Sequence, residues 1–151
     1  MLTIEVEVNV TVIERTPKFE LQRLPFELDF RGGAVSATIV SYNINEMLGT
    51  KMRAMLQRKK GRDLFDLYWA LTSQSALPVD ASRVIEAFTH YMRDEGTHVT
   101  RAEFASHLDR CLADKAGFCR DMAALLKHDL DYRPEDAAGV IESRLLALLP
   151  Q

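Results

Sequence analysis

A chain of 151 residues is long enough for one domain with a sizeable core. It is 47% hydrophobic and 27% charged, as ordinary globular proteins are, and its net charge of −3 gives no overall case for nucleic acid or an anionic membrane. No apolar run approaches the roughly 20 residues that span a bilayer, and Glu5 and Glu7 alternate with apolar residues where a signal peptide would carry a basic region and an apolar block. Cys111 and Cys119 fit neither a zinc spacing nor a redox Cys-x-x-Cys pattern, so they are expected to be reduced thiols of a cytoplasmic protein.

Residues 2–14 alternate strictly. Leu2, Ile4, Val6, Val8, Val10 and Val12 face one way and Thr3, Glu5, Glu7, Asn9 and Thr11 the other, which predicts a strand with one buried face. Pro17 ends that pattern. A second β-like segment follows over Phe19–Leu28, and Pro25 within it implies an edge or irregular strand. Gly32-Gly33 predicts a turn and Ala34–Val40 another strand.

From Asn43 onward the pattern is helical. Asn43 with Glu46 resembles a capping box and opens a helix to about Arg58. Gly61 predicts the break, and Asp63 the start of a second helix running to about Ser73. Asp80 caps a third helix, carrying Val84, Ile85, Phe88, Tyr91 and Met92. Thr100 with Glu103 opens a fourth, with Phe104, Leu108, Cys111 and Leu112. Gly117 is expected to separate it from a fifth over Phe118–Lys127, and Pro134, Glu135 and Asp136 begin the last. The expectation is an α+β chain: a small, mainly antiparallel N-terminal sheet (1–42), then a bundle of about six helices (43–151), within a single domain 1–151.

Charge is unevenly placed. Residues 1–50 hold four Lys/Arg and seven Asp/Glu, residues 51–79 six and two, and residues 80–151 nine and thirteen. The positive stretch coincides with a helical-wheel oddity. With Ile44 at zero, Met47, Leu48, Met52 and Met55 share its side, and Lys51 falls in the middle of that apolar stripe. A lysine there either lays its stem along apolar neighbours and sends its ammonium outward, or holds the ammonium in a pocket against a phosphate or a carboxylate. Arg53, Arg58, Lys59, Lys60 and Arg62 around the glycine form either a solvated face or a phosphate-binding turn. No interleaved aromatic set suits reading single strands. Asp63 is adequately explained as an acid at a helix N-terminus, whereas amphipathicity does not single out Asp66. Glu5 and Glu7 are either a solvated strand face or carboxylates spaced to share one divalent cation. His90, His98, His107 and His128 make no metal motif, and no P-loop, Rossmann or nucleophile-elbow pattern occurs. Asp129 and Asp131 are expected to be a solvated acid pair in a loop.

Taken together, Glu7-Val8-Asn9 on a strand and the run Lys51-Met52-Arg53-Ala54 through Arg58-Lys59-Lys60-Gly61-Arg62-Asp63-Leu64-Phe65-Asp66 resemble the AbiEii/MenT nucleotidyltransferase toxins. By motif the likeness covers about residues 2–75. It implies a partial nucleotidyltransferase-like core, transfer of a nucleotidyl group from an NTP to a tRNA, and Mg2+ as cofactor. It implies catalytic roles for Lys51 and Asp66, phosphate contacts from Lys51, and a place for Glu7 near the metal; Arg53, Arg58 and Arg62 of the basic turn are the further phosphate-binding candidates. A cognate antitoxin would be a protein partner, with no membrane partner. The family's Gly-Ser turn and Asp-x-Asp strand are not found upstream of Glu7. The chain is therefore expected to correspond to the C-terminal portion of the family unit and, alone, to lack full catalytic capacity. The alternative is a non-catalytic module of the same fold that binds nucleotide or a protein partner; a plain helical bundle with a sheet cap leaves Lys51 unexplained. An exposed sheet edge favours a homodimer.

Overall fold

The computed structural model describes residues 19–30, 32–73, 78–122, 126 and 130–151. The alternating stretch 2–14, with Glu5 and Glu7, lies outside the described residues, as do His128 and Asp129. Among the described residues, two antiparallel strands, β1 (Gln22–Phe30) and β2 (Gly33–Ser41), precede six helices. The helices are α1 (Ile44–Arg58), α2 (Gly61–Thr72), α3 (Ala81–Asp94), α4 (Arg101–Ala113), α5 (Lys115–Phe118) and α6 (Pro134–Arg144), with short 3-10 turns at Arg120–Met122 and Leu146–Leu148. This is the expected α+β order.

The hairpin turns at Gly32, whose φ of +89° is a conformation glycine adopts at no steric cost. Pro25 pairs opposite Thr38, and a two-stranded ribbon has only edge strands, where proline is tolerated. The register puts Leu24, Phe26 and Leu28 on one face with Ile39, Ala37 and Val35. Apart from half-buried Leu24, that face is exposed, and the hairpin packs chiefly on itself. Just before it, Phe19 is buried under the Arg83 guanidinium of α3, 4.6 Å from its ring centre.

The helices carry the core. Leu48, Met52 and Met55 of α1 meet Leu64 and Leu67 of α2, Val84 and Phe88 of α3, Phe104 and Leu108 of α4, and Ile141 of α6. Phe88 and Phe104 meet at a tilt of 68° with centroids 5.7 Å apart. Met47 departs from the helical-wheel expectation: it is exposed, and the buried stripe runs instead through Asn45, Leu48, Gly49, Met52 and Met55. Gly49 sets the α1–α3 approach, since a β-carbon there would lie 2.7 Å from Ala87 Cβ and 2.8 Å from the Phe88 nitrogen.

Helix ends follow the caps with three corrections. Asn43 caps α1 by accepting from the Asn45 N–H, while Glu46 turns inward and is bonded by the Tyr91 hydroxyl. Thr100 and Glu103 form a complete capping box, and Asp80 accepts from the Ser82 and Arg83 N–H groups. The break between α1 and α2 is made by Lys59, in the left-handed region at φ 46°, and Gly61 is already the first residue of α2. Gly61 serves close packing instead: a β-carbon would lie 2.7 Å from the Phe118 carbonyl oxygen. Gly117 does not separate helices either. It lies inside α5, and its N–H donates to the Asp114 carboxylate.

Candidate functional site

The corner between α1 and α2 brings four charged side chains together. Lys51 lies at the middle of α1 and Arg58 at its end, while Asp63 and Asp66 occupy the first two turns of α2. Asp63, treated in the sequence as an acid serving a helix N-terminus, is the hub of this corner. Its side chain is fully buried. Arg58 grips it with two near-parallel bonds, Nε to Oδ2 at 2.8 Å and Nη2 to Oδ1 at 2.7 Å, and Lys51 Nζ lies 3.4 Å from Oδ1. A buried carboxylate needs such compensation, because unpaired it costs several kcal/mol, on the order of the desolvation of one ion.

Lys51 makes its closer contact with Asp66, Nζ to Oδ2 at 2.6 Å. Both are open to solvent, with 34% of the Lys51 and 43% of the Asp66 side chain exposed. The oddity of a cation in the apolar stripe thus resolves into two anchors on the next helix. Asp63 holds Lys51 from below, and Asp66 meets it at the surface. The two cations and two carboxylates balance in charge, and of the four only Asp63 is closed to a solute.

The three arginines of the basic stretch are dispersed. Arg53 lies on another side of α1 and binds Glu95 at the end of α3, Nη1 to Oε1 at 2.7 Å, beside Gln57 on the same carboxylate. Arg58 is occupied by Asp63. Arg62 points towards Asp121, 3.8 Å away. Lys51 and Asp66 are therefore brought together, while Arg53 and Arg62 are placed beside carboxylates of other elements. Lys59 and Lys60 are exposed at the corner and make no ion pair with a described residue.

No group of three or more His, Cys, Asp or Glu side chains able to hold a metal occurs among the described residues. Asp63 is already saturated by Arg58 and Lys51, so the described corner does not fit a divalent ion. His107 is buried in α4, with Nε2 3.1 Å from the Met55 carbonyl oxygen and 3.4 Å from Cys111 Sγ. Burial lowers its pKa, with Arg110 and Lys59 acting in the same direction and the Met55 bond opposing. Burial likewise raises the Cys111 and Cys119 thiols, and both cysteines are free. A thiol held protonated is a poor nucleophile, so buried Cys111 and half-buried Cys119 serve packing.

Sequence reasoning missed an aromatic group along α2. Phe65 and Trp69, four residues apart, stack at 23° with centroids 5.8 Å apart, and Tyr132 meets Phe65 edge-on at 5.1 Å. With Tyr68, Thr72, Ser73, Leu130 and Asp131 they line a pocket of about 270 Å³. The signal was present as an i, i+4 aromatic pair beside Asp66, but Tyr132 is distant in sequence. Asp131, expected to be merely solvated, is part of this wall.

Among the described residues no helix is long and apolar enough to cross a membrane. No curated protein and no solved structure matches the chain. One family model does, that of the nucleotidyl transferase AbiEii toxin of type IV toxin–antitoxin systems, and its match runs over residues 1–141. The stretch that built the α1–α2 corner lies inside that span, and over this extent the match leaves one assignment: the chain belongs to the AbiEii nucleotidyl transferase toxin family.

Proposed function

We propose that the α1–α2 corner binds the phosphates of a nucleoside triphosphate during nucleotidyl transfer to an RNA acceptor, with tRNA as the acceptor class. The observation that carries this reading is the solvent-open pair of Lys51 Nζ and Asp66 Oδ2 at 2.6 Å, seated beside the buried Asp63 that Arg58 grips. The Arg58–Asp63 pair fixes the corner. The open pair exchanges: an incoming polyphosphate offers Lys51 more negative charge than one carboxylate, and Lys51 moves to it as a compact point charge. Asp66 is then released beside the reacting centre. It takes the proton of the attacking hydroxyl as that oxygen bonds to the α-phosphorus and pyrophosphate leaves. Lysine between carboxylate and phosphate also offsets their mutual repulsion.

Mg2+ is the divalent ion such transfer generally uses, where it would neutralise charge on the leaving phosphates. The described residues do not fit it, and no step above depends on where it sits. Arg53, Arg58 and Arg62 bind phosphate in this reading only by leaving Glu95, Asp63 and Asp121. That places Lys59 and Lys60 ahead of them as phosphate contacts. A cognate antitoxin completes the proposal on the same family basis, while the cytoplasm rests on the free thiols and a homodimer on the exposed sheet edge.

Calorimetric titration of NTP with Mg2+ into the chain and into Lys51→Ala tests it, alongside a transfer assay with labelled NTP and tRNA. Lys51→Ala is expected to weaken NTP binding about tenfold or more, about 1.4 kcal/mol or above. Equal binding by both proteins removes Lys51 from the phosphate site. Lys51-dependent binding that never leads to transfer supports the non-catalytic nucleotide-binding reading.

A further inference from the structure

We propose that the pocket between α2 and the segment Leu130–Tyr132 is a nucleobase site. It deepens the nucleotide reading of the Lys51 corner and rests on it for the identity of the sugar-phosphate attached to the base. The argument starts from the pocket wall. Phe65 and Trp69 stack on each other, and Trp69 is 48% exposed, an unusual expenditure of a large aromatic surface. A flat, open ring face of this kind suits a flat ligand, and every base has a π-face.

The rest of the lining suits the edge of a base. Tyr132 closes the wall with its ring, edge-on to Phe65, while its hydroxyl is shut off from solvent. Asp131 is exposed beside it and accepts from an exocyclic amine or ring N–H. The Thr72 and Ser73 hydroxyls donate to the Tyr68 and Trp69 carbonyls of their own helix, so towards the pocket they present lone pairs. A volume of about 270 Å³ fits one ring system and little more.

Position links the pocket to the charged corner. Asp66 directly follows Phe65 and precedes Trp69 by three residues, about 4.5 Å of helix rise. A base held at Trp69 therefore has its own phosphates, or those of a neighbouring nucleotide, within reach of Lys51. Two sources carry this chemistry: the base of the NTP, and the terminal base of an RNA acceptor.

Trp69 is the only tryptophan in the chain, so its fluorescence reports on the pocket directly. The chain is titrated with the four ribonucleosides, the four NTPs, short oligoribonucleotides with a free 3′-hydroxyl, and inorganic tripolyphosphate. The expected result is saturable quenching by base-bearing ligands and none by tripolyphosphate. Asp131→Ala is expected to weaken that quenching about fivefold. Trp69→Ala, followed by calorimetry, is expected to lose about tenfold in affinity with unchanged circular dichroism. NTP saturating below the oligoribonucleotides assigns the pocket to the donor base, and the reverse order assigns it to the acceptor. No saturable quenching by any base-bearing ligand, or unchanged binding by Trp69→Ala, overturns the proposal.

The two readings fail separately. NTP binding that depends on Lys51 without quenching of Trp69 removes the pocket and leaves the phosphate site. Nucleoside quenching together with equal NTP binding by Lys51→Ala does the opposite.

Discussion

Asp63 and Asp66 are three residues apart on one helix, and their environments give them different work. Asp63 is enclosed and doubly held by Arg58. Asp63→Ala leaves the Arg58 and Lys51 cations side by side without their acid. Because both reach water, the expected loss is about 2–3 kcal/mol, below the cost of a fully enclosed pair, read as a fall in the urea midpoint. Asp66→Ala is expected to change stability by less than about 1 kcal/mol. Amphipathic reading saw Asp66 as unexplained and Asp63 as explained. It could do no better, because a helix wheel contains no neighbour and Asp63 is buried by the corner rather than by its own helix. His107 supplies the pH dependence. Its pKa is lower in the folded chain than the ordinary 6.5, so the unfolded chain binds the extra proton first. The stabilisation is complete above about pH 6.5 and is lost as pH falls through the depressed folded value. The urea midpoint is expected to drop between pH 7 and 5, and His107→Gln to flatten that slope.

At the scale of elements, local signals located the helices and tertiary contacts set their joints. Capping residues placed α3, α4 and α6 within a residue or so, because Asp80, the Thr100–Glu103 box and Pro134 act on their own backbone. The glycines were misread for the converse reason. Gly61 and Gly117 looked like breaks, yet both are inside helices and owe their identity to what lies against them. Gly49 is the strongest case, facing α3 backbone at under 3 Å on two atoms. Gly49→Ala is expected to force α1 from α3 and cost about 2–3 kcal/mol in spite of alanine's better helix propensity, measured by thermal or urea unfolding. Rescue by a smaller residue at Ala87 is possible only with glycine.

For the molecule as a whole, the strand expected to bury one face, residues 2–14, lies outside the described residues, and the described hairpin leaves Phe26, Leu28, Val35 and Ile39 exposed. The period was legible; what covers a face is not a property of the period. Phe26→Lys is accordingly expected to leave the urea midpoint of the helical ellipticity unchanged within about 0.5 kcal/mol. A larger loss would show that this face is packed against the helical body. The helices close differently. The Arg101 N–H bonds the Pro150 carbonyl oxygen at 2.9 Å, and Leu145, Leu146 and Leu149 are buried in the common core. Synthesis runs in one direction, at about 5–20 residues per second. The α1–α3 pairing therefore has its partners early, whereas α4 waits some seconds for the residues that roof Phe104 and Leu108. In the interval the nascent chain presents a greasy, half-built bundle, and that is the form in which a chaperone would meet it.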